Sequence, residues 1–271
     1  MTPDGSGVAS GGGAEVMLSR VSDGTCLWQR VPHEKKGVRG IVFTPDGKFV
    51  ISGGEDGCVR RLPSSDGLYP VTLGRYDEPV ESIAISPDGA YLAASTLMRV
   101  NVIRLADRAS LLELDHDEFV WKVGFARNGQ LLLAASGPEV WVWSVPAGQL
   151  EQKLQNHTTI VTDAFATPDA DQIAVVNGIQ IWVWRLSDGS LMRRLEGHEN
   201  WIRCTTFTPN GEYLISAGDD EVLNVWRFSD GVCVRSLRGI VGHLYSVVVI
   251  PGHLICGDAG GAIRIWTLNE G

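Results

Sequence analysis

A three-residue turn, Ser-Asp-Gly, returns along the chain at a nearly constant interval, and that interval leaves few architectures open. It stands at Ser22-Asp23-Gly24, Ser65-Asp66-Gly67, Ser187-Asp188-Gly189 and Ser229-Asp230-Gly231. Altered copies are Ala106-Asp107-Arg108, Pro146-Ala147-Gly148 and Asn269-Glu270-Gly271. The middle residues are separated by 43, 41, 40, 41, 42 and 40 positions. A second turn keeps the same phase: Thr2-Pro3-Asp4-Gly5, Thr44-Pro45-Asp46-Gly47, Ser86-Pro87-Asp88-Gly89, Ala126-Arg127-Asn128-Gly129, Thr167-Pro168-Asp169-Ala170 and Thr208-Pro209-Asn210-Gly211, shrinking to Pro251-Gly252. Proline presets φ, Asp or Asn closes the turn through its side chain, and glycine accepts positive φ. Between the turns lie short runs rich in β-branched and aromatic residues, and none keeps a helical period over a long window, so they are read as strands. A strand-filled period of roughly forty predicts an all-β fold, a seven-bladed propeller of four-stranded antiparallel blades.

Within one unit the order is strand a, Pro-Asp-Gly turn, strand b, polar turn, strand c, Ser-Asp-Gly turn, strand d. The clearest unit is Gly197–Leu237, with strands expected at Ile202–Phe207, Tyr213–Ala217, Leu223–Phe228 and Cys233–Leu237. The periodicity leaves room for one domain, residues 1–271, and no linker. Gly11-Gly12-Gly13 falls at the b–c turn of blade one. Blade one is expected to lack strand a and blade seven strand d, giving 26 strands where seven full blades have 28. The expectation is a piece of a longer propeller, or a partner or second copy that supplies a strand.

The Gly197–Leu237 unit resembles a WD-repeat. Gly197-His198, Ser216, Asp220 and Trp226 stand at that family's Gly-His, strand-b Ser, b–c-turn Asp and strand-c Trp positions. The resemblance implies a buried hydrogen-bond chain in which Asp220 accepts from His198, His198 engages Ser216, and Ser216 accepts from the Trp226 indole. Other blades keep parts of it. Trp143, Trp184 and Trp266 retain the Trp, while Ser19, Leu62 and Ile103 replace it. Blade two keeps His33, Ser52 and Asp56, blade three has Tyr76 in place of the His, and His116, His157 and His243 lack the matching Asp. The namesake Asp after the Trp is absent, as in Trp226-Arg227 and Trp184-Arg185.

Composition narrows the function. A net charge of −9 argues against nucleic acid or an anionic membrane as the main partner. No apolar run is long enough to span a bilayer and no signal peptide is evident. The scattered cysteines Cys26, Cys58, Cys204, Cys233 and Cys256 show no Cys-x-x-Cys spacing and read as reduced cytoplasmic thiols. Histidines that recur once per blade are too dispersed for one metal site. The acidic clusters Asp219-Asp220-Glu221 and Asp115–Glu118 fall at turns the repeat explains. The pairs Trp141/Trp143 and Trp182/Trp184 are expected to fill the space between blades. No nucleophile elbow, phosphate loop or zinc-protease motif is present, so no catalytic residue, metal or cofactor is expected.

The expected function is a non-catalytic protein- or peptide-binding scaffold. Its binding surface is the rim formed by the d–a and b–c loops, which the resemblance implies is the partner-facing side. Candidate contacts are Arg39, Phe119, Trp121, Trp201, Arg203 and Tyr245, residue types that dominate binding hot spots. Trp121 and Trp201 are expected to flank a peptide lying over Ile160 and Thr162, with Arg203 free to take a carboxylate or carbonyl. Further domains of the same longer chain are also candidate partners. The alternative is a propeller enzyme or small-ligand sensor using the central channel, where strand a offers the acids Glu81 and Asp163.

Overall fold

The computed structural model describes residues 1–34, 36–167, 171–238, 244–250, 252–258 and 262–267. The expected turn residues 168–170, Pro251 and 269–271, and the repeat histidine His243, lie outside the described residues. The fold is an all-β, seven-bladed propeller: seven antiparallel sheets, five with four strands and the first and last with three among the described residues. Sheet order follows the chain, from strand a at one edge to strand d at the other. The chain divides into two compact units, Met1–Lys153 and Leu154–Gly271. The first carries blades one to four, the second blades five to seven.

The turns explain the regularity. In each Pro-Asp-Gly copy the first hydroxyl accepts the amide five residues on, as Thr44 Oγ1 does from Phe49 at 3.1 Å and Thr208 Oγ1 from Tyr213 at 3.0 Å. The following Asp or Asn accepts two residues on, as Asp46 does from Lys48 at 3.1 Å. In the Ser-Asp-Gly turns Asp188 accepts from the Ser190 amide at 2.9 Å and Asp230 from Val232 at 3.0 Å. The residue that replaces the namesake Asp also acquires a role here. Arg20, Arg104, Arg185 and Arg227, each ending strand c, pair with the turn Asp three residues on at 2.7–3.2 Å.

Packing between successive sheets makes the core. In the first unit Ile51, Val59 and Leu73 of blade two meet Val80, Ile83 and Leu92 of blade three. In the second, Ile181 and Leu195 of blade five meet Ile202, Leu214 and Trp226 of blade six. A sheet sandwiched on both faces has no solvated side, so its central strands lose polar alternation. Leu131–Ser136 is buried at every position, whereas the outer strand Val232–Arg238 is exposed at nearly all.

Several expected boundaries shift. In blade six strand b extends to Gly218, strand c is Val222–Arg227 and strand d is Val232–Arg238. Phe228 leaves the ladder because its N–H donates to the Glu212 carbonyl at 2.8 Å. Gly11 and Gly12 end strand b of blade one rather than forming the turn. The copy at Ala126–Gly129, without proline to set φ, becomes a 3-10 turn with Arg127 and Asn128 at φ of 47° and 53°.

Candidate functional site

Blade six holds a continuous buried hydrogen-bond chain. His198 Nδ1 donates to Asp220 Oδ2 at 2.9 Å, which fixes Nε2 as an acceptor for the Ser216 hydroxyl at 2.7 Å. Ser216 Oγ in turn accepts from Trp226 Nε1 at 2.8 Å. His198, Ser216 and Trp226 are all buried, so each polar atom needs such a partner. Asp220 also accepts the Glu199 and Val222 amides at 2.9 and 3.2 Å, fastening the d–a loop to the b–c turn. Gly218 makes this approach possible: a Cβ there would lie 2.9 Å from Asp220 Oδ1 and 3.0 Å from His198 Nδ1.

Blade two repeats part of the chain. His33 Nδ1 donates to Asp56 at 2.8 Å, and its Nε2 accepts from Ser52 at 2.8 Å. With Leu62 at the Trp position, the buried Arg60 donates to Asp56 instead. Burial pushes the Asp56 carboxyl up, but hydrogen bonds from His33, Arg60 and the Cys58 amide outweigh it and hold it below its ordinary value.

Blades four and five solve the same position without a hydroxyl. Ala134 and Val175 stand where blade six has Ser216. In blade four, His116 lies against Trp141 and Trp143 at ring-centroid distances of 4.6 and 5.8 Å. Neither nitrogen of His116 nor the Trp143 indole N–H has a hydrogen-bond partner among the described residues. In blade five His157 lies 5.1 and 5.3 Å from Trp182 and Trp184. The Trp pairs therefore pack on the loop histidine, a contact their spacing did not disclose. Cations cover them, Lys153 over Trp141 at 3.3 Å and Arg194 over Trp182 at 4.0 Å.

The candidate rim residues share a backbone feature. In every described strand a the register skips one residue opposite the end of strand b. The skipped residues are Arg39, Glu81, Trp121, Thr162, Arg203 and Tyr245. A β-bulge leaves its extra residue unpaired and re-aims its side chain. Trp121 is 43% exposed and Tyr245 60%. Phe119 sits two residues earlier, with its ring 4.4 Å from Trp121. Trp201 holds the matching place in blade six; it is half-buried, and its carbonyl accepts from the Asp219 amide at 2.8 Å.

One expectation is corrected. Arg203 is not free: its Nε donates to Asp219 at 2.8 Å, and Arg39 pairs with Glu55 in the same way. Each acid follows the glycine that ends strand b, so bulge and acid face each other across the hairpin. Sequence reasoning missed Glu55 and Asp219; the signal was an acid directly after Gly54 and Gly218 in the two blades with a bulge Arg. Glu81 and Asp163, paired above as channel acids, hold different registers. Glu81 is a bulge residue, while Asp163 follows one and accepts from Thr205 at 3.4 Å. Among the described residues no cluster of His, Cys, Asp and Glu has metal-binding geometry, and no helix is long and apolar enough to cross a membrane.

Residues 21–60 and 189–227 match the family model described as WD domain, G-beta repeat, covering the two blades in which the His, Ser and Asp are kept together. The chain is 27% identical over 230 residues to nuclear distribution protein PAC1 of Coccidioides posadasii, covering 82% of this chain and 36% of that protein. It is 24% identical over 237 residues to cilia- and flagella-associated protein 52 of Mus musculus, covering 86% and 32% respectively. A periodic tryptophan protein 2 homolog of Dictyostelium discoideum is 24% identical over 136 residues, covering 47% of this chain and 15% of that protein. The chain thus spans well under half the length of these curated relatives. The crystal structure of the WD40 β-propeller domain of Doa1 superposes with a TM-score of 0.86 at 20% identity, covering 99% of this chain and 91% of that one. WD-repeat propellers serve generally as protein-interaction scaffolds. The matched repeats are those where the buried chain is most complete, and two blades of this seven-bladed propeller are therefore WD repeats.

Proposed function

We propose that this chain is a non-catalytic scaffold that binds a protein or peptide through the rim of d–a and b–c loops. The bulge common to every described strand a carries this reading, because it turns one side chain per blade out of the ladder at the same position of the strand. Trp121 with Phe119 in the first unit, and Trp201, Arg203 and Tyr245 in the second, are the contact residues. Arg203 presents a guanidinium already held by Asp219, so the entropy of ordering it is spent before a partner arrives. Net negative charge suits a partner with basic and apolar residues and disfavours nucleic acid and anionic membranes. The five free cysteines fit a cytoplasmic setting.

The test is an affinity capture that compares the intact chain with Arg203→Ala and Tyr245→Ala. Each is expected to weaken the captured partner by about 1–3 kcal/mol while leaving the melting temperature nearly unchanged. Partners retained at full strength by both variants would remove the rim from this account.

A further inference from the structure

The outer part of the wedge between blades two and three is open. A cavity of about 970 Å³ lies between strand d of blade two (Val71–Arg75) and strands c and d of blade three (Arg99–Arg104 and Ala109–Asp115). The sequence accounts for the opening. Blade three places Ile103 where blades four to seven place Trp, and Asn101 where blades four and five place Trp141 and Trp182 and blade two places Arg60. Smaller side chains at both positions leave the space unfilled.

The wall of this cavity carries buried polar atoms without partners. Asn101 is 5% exposed, yet among the described residues its amide nitrogen has no hydrogen-bond partner, and neither has the hydroxyl of Tyr76. Both side chains line the cavity. In blade six the equivalent Asn224 is tied to strand d, its Oδ1 accepting from Ser236 Oγ at 2.6 Å. An orphaned buried donor is costly, and a native fold that keeps two on one wall calls for acceptors from elsewhere. Burial pushes the Tyr76 phenol up to about 12, so it remains a donor across the physiological range.

The rest of the lining defines the ligand. Leu73 and Ile103 supply an apolar surface, and the exposed Met98 adds a flexible one. The charges do not favour an ion: Arg99 is already engaged by Glu113 and Asp115 at 3.3 and 2.8 Å, and the rest of the lining sets the cations Arg75 and Arg108 beside the acids Asp77 and Glu78. Strand d of blade two is the last strand of its sheet, so its outer backbone groups are open to an added strand. The volume falls within the range of small-ligand and short-peptide sites.

We propose that this cleft is a second peptide-binding site, taking an extended, uncharged segment of a partner whose main-chain carbonyls accept from Asn101 and Tyr76 and whose aliphatic side chain packs on Leu73 and Ile103. It includes none of the proposed rim contacts Phe119, Trp121, Trp201, Arg203 and Tyr245 and stands or falls separately. A phage library of random linear heptapeptides is selected on the full chain and depleted on Ile103→Trp, which fills the cleft with the ring other blades carry at that register. Enriched peptides are synthesised and titrated calorimetrically. Each is expected to lose at least tenfold in affinity on Ile103→Trp and on Asn101→Leu, and to bind the Arg203→Ala/Tyr245→Ala double variant unchanged. Melting curves check that both cleft variants fold; Asn101→Leu decides alone if Ile103→Trp does not. Failure to enrich any sequence, equal binding to wild type and cleft variants, or loss on the rim variant instead overturns the proposal.

Discussion

Blades four and six hold a histidine in the same loop and a tryptophan on the same strand, yet they stabilise the pair by different chemistry. Blade six threads the polar atoms of His198, Ser216, Trp226 and Asp220 into one chain. Blade four has Ala134 in place of the serine and stacks His116 against two indoles, leaving three buried nitrogens without partners among the described residues. The propeller position therefore demands a packed aromatic wall, and a hydrogen-bond chain is one way of seating it. Blade three marks the limit: with neither device, Tyr76 and Ile103 leave a cleft.

The largest effect that tests this contrast is Trp226→Ala. Its ring is 1% exposed and packs in the cluster with Ile202 and Leu214, so removal should cost about 3–5 kcal/mol in denaturant unfolding. The milder change to Phe separates the two blades. Trp226→Phe removes a made hydrogen bond, whereas Trp143→Phe removes an indole N–H that has none, so the first should cost about 1 kcal/mol more. Equal losses would mean that the chain in blade six adds nothing beyond packing.

The next effect is a pH dependence of the aromatic device. Burial holds the His116 imidazole well below its ordinary value, at about 4. On acidification the unfolded chain takes up this proton first. Stability from a neutral His116 is thus complete above about pH 6.5 and lost as pH falls toward 4, a total of roughly 3 kcal/mol. Urea midpoints followed from pH 7 to 4 should flatten in His116→Leu. An unchanged slope in that variant would place the acid sensitivity elsewhere.

Asp220→Ala should cost about 1–3 kcal/mol, since it leaves His198 Nδ1–H buried without an acceptor and releases the Glu199 amide. The control is Asp188→Ala, an exposed turn acid that also accepts a backbone amide. A loss no greater than that control would reduce the buried chain to a packing feature.

What could be read before the structure follows from what each residue depends on. The turns were legible because Thr208, Asn210 and Asp230 bond within a few residues of themselves, so spacing alone carries the geometry. The blade-six chain was legible through family resemblance, which supplies long-range pairing that local chemistry cannot. Arg39, Trp121, Arg203 and Tyr245 were legible as residues near the start of strand a, but the bulge they share was not. A bulge depends on the register of two strands, and the partners Glu55 and Asp219 lie sixteen residues from their arginines. The cleft of blade three was invisible for a different reason. Tyr76 and Ile103 stand out as substitutions, but whether a smaller residue leaves space depends on how far the neighbouring sheet follows it.

The smallest effect is the most direct test of whether the two devices are interchangeable. Ala134→Ser would place a hydroxyl where blade six has Ser216, since each lies two residues beyond the strand-b partner of its tryptophan. The rings to be bridged are similarly spaced, at 5.8 Å for His116 and Trp143 against 6.3 Å for His198 and Trp226. The new oxygen should accept from the Trp143 indole and donate to His116, satisfying two buried groups, and stabilise the fold by about 1 kcal/mol. Ala134 is fully buried, so one added atom has little room to spare. A loss of stability would show that the second indole, Trp141, has already taken the space a hydroxyl would need. The aromatic stack and the polar chain would then be mutually exclusive solutions, and the Ser position would be fixed by the residue at strand c rather than by the histidine it binds.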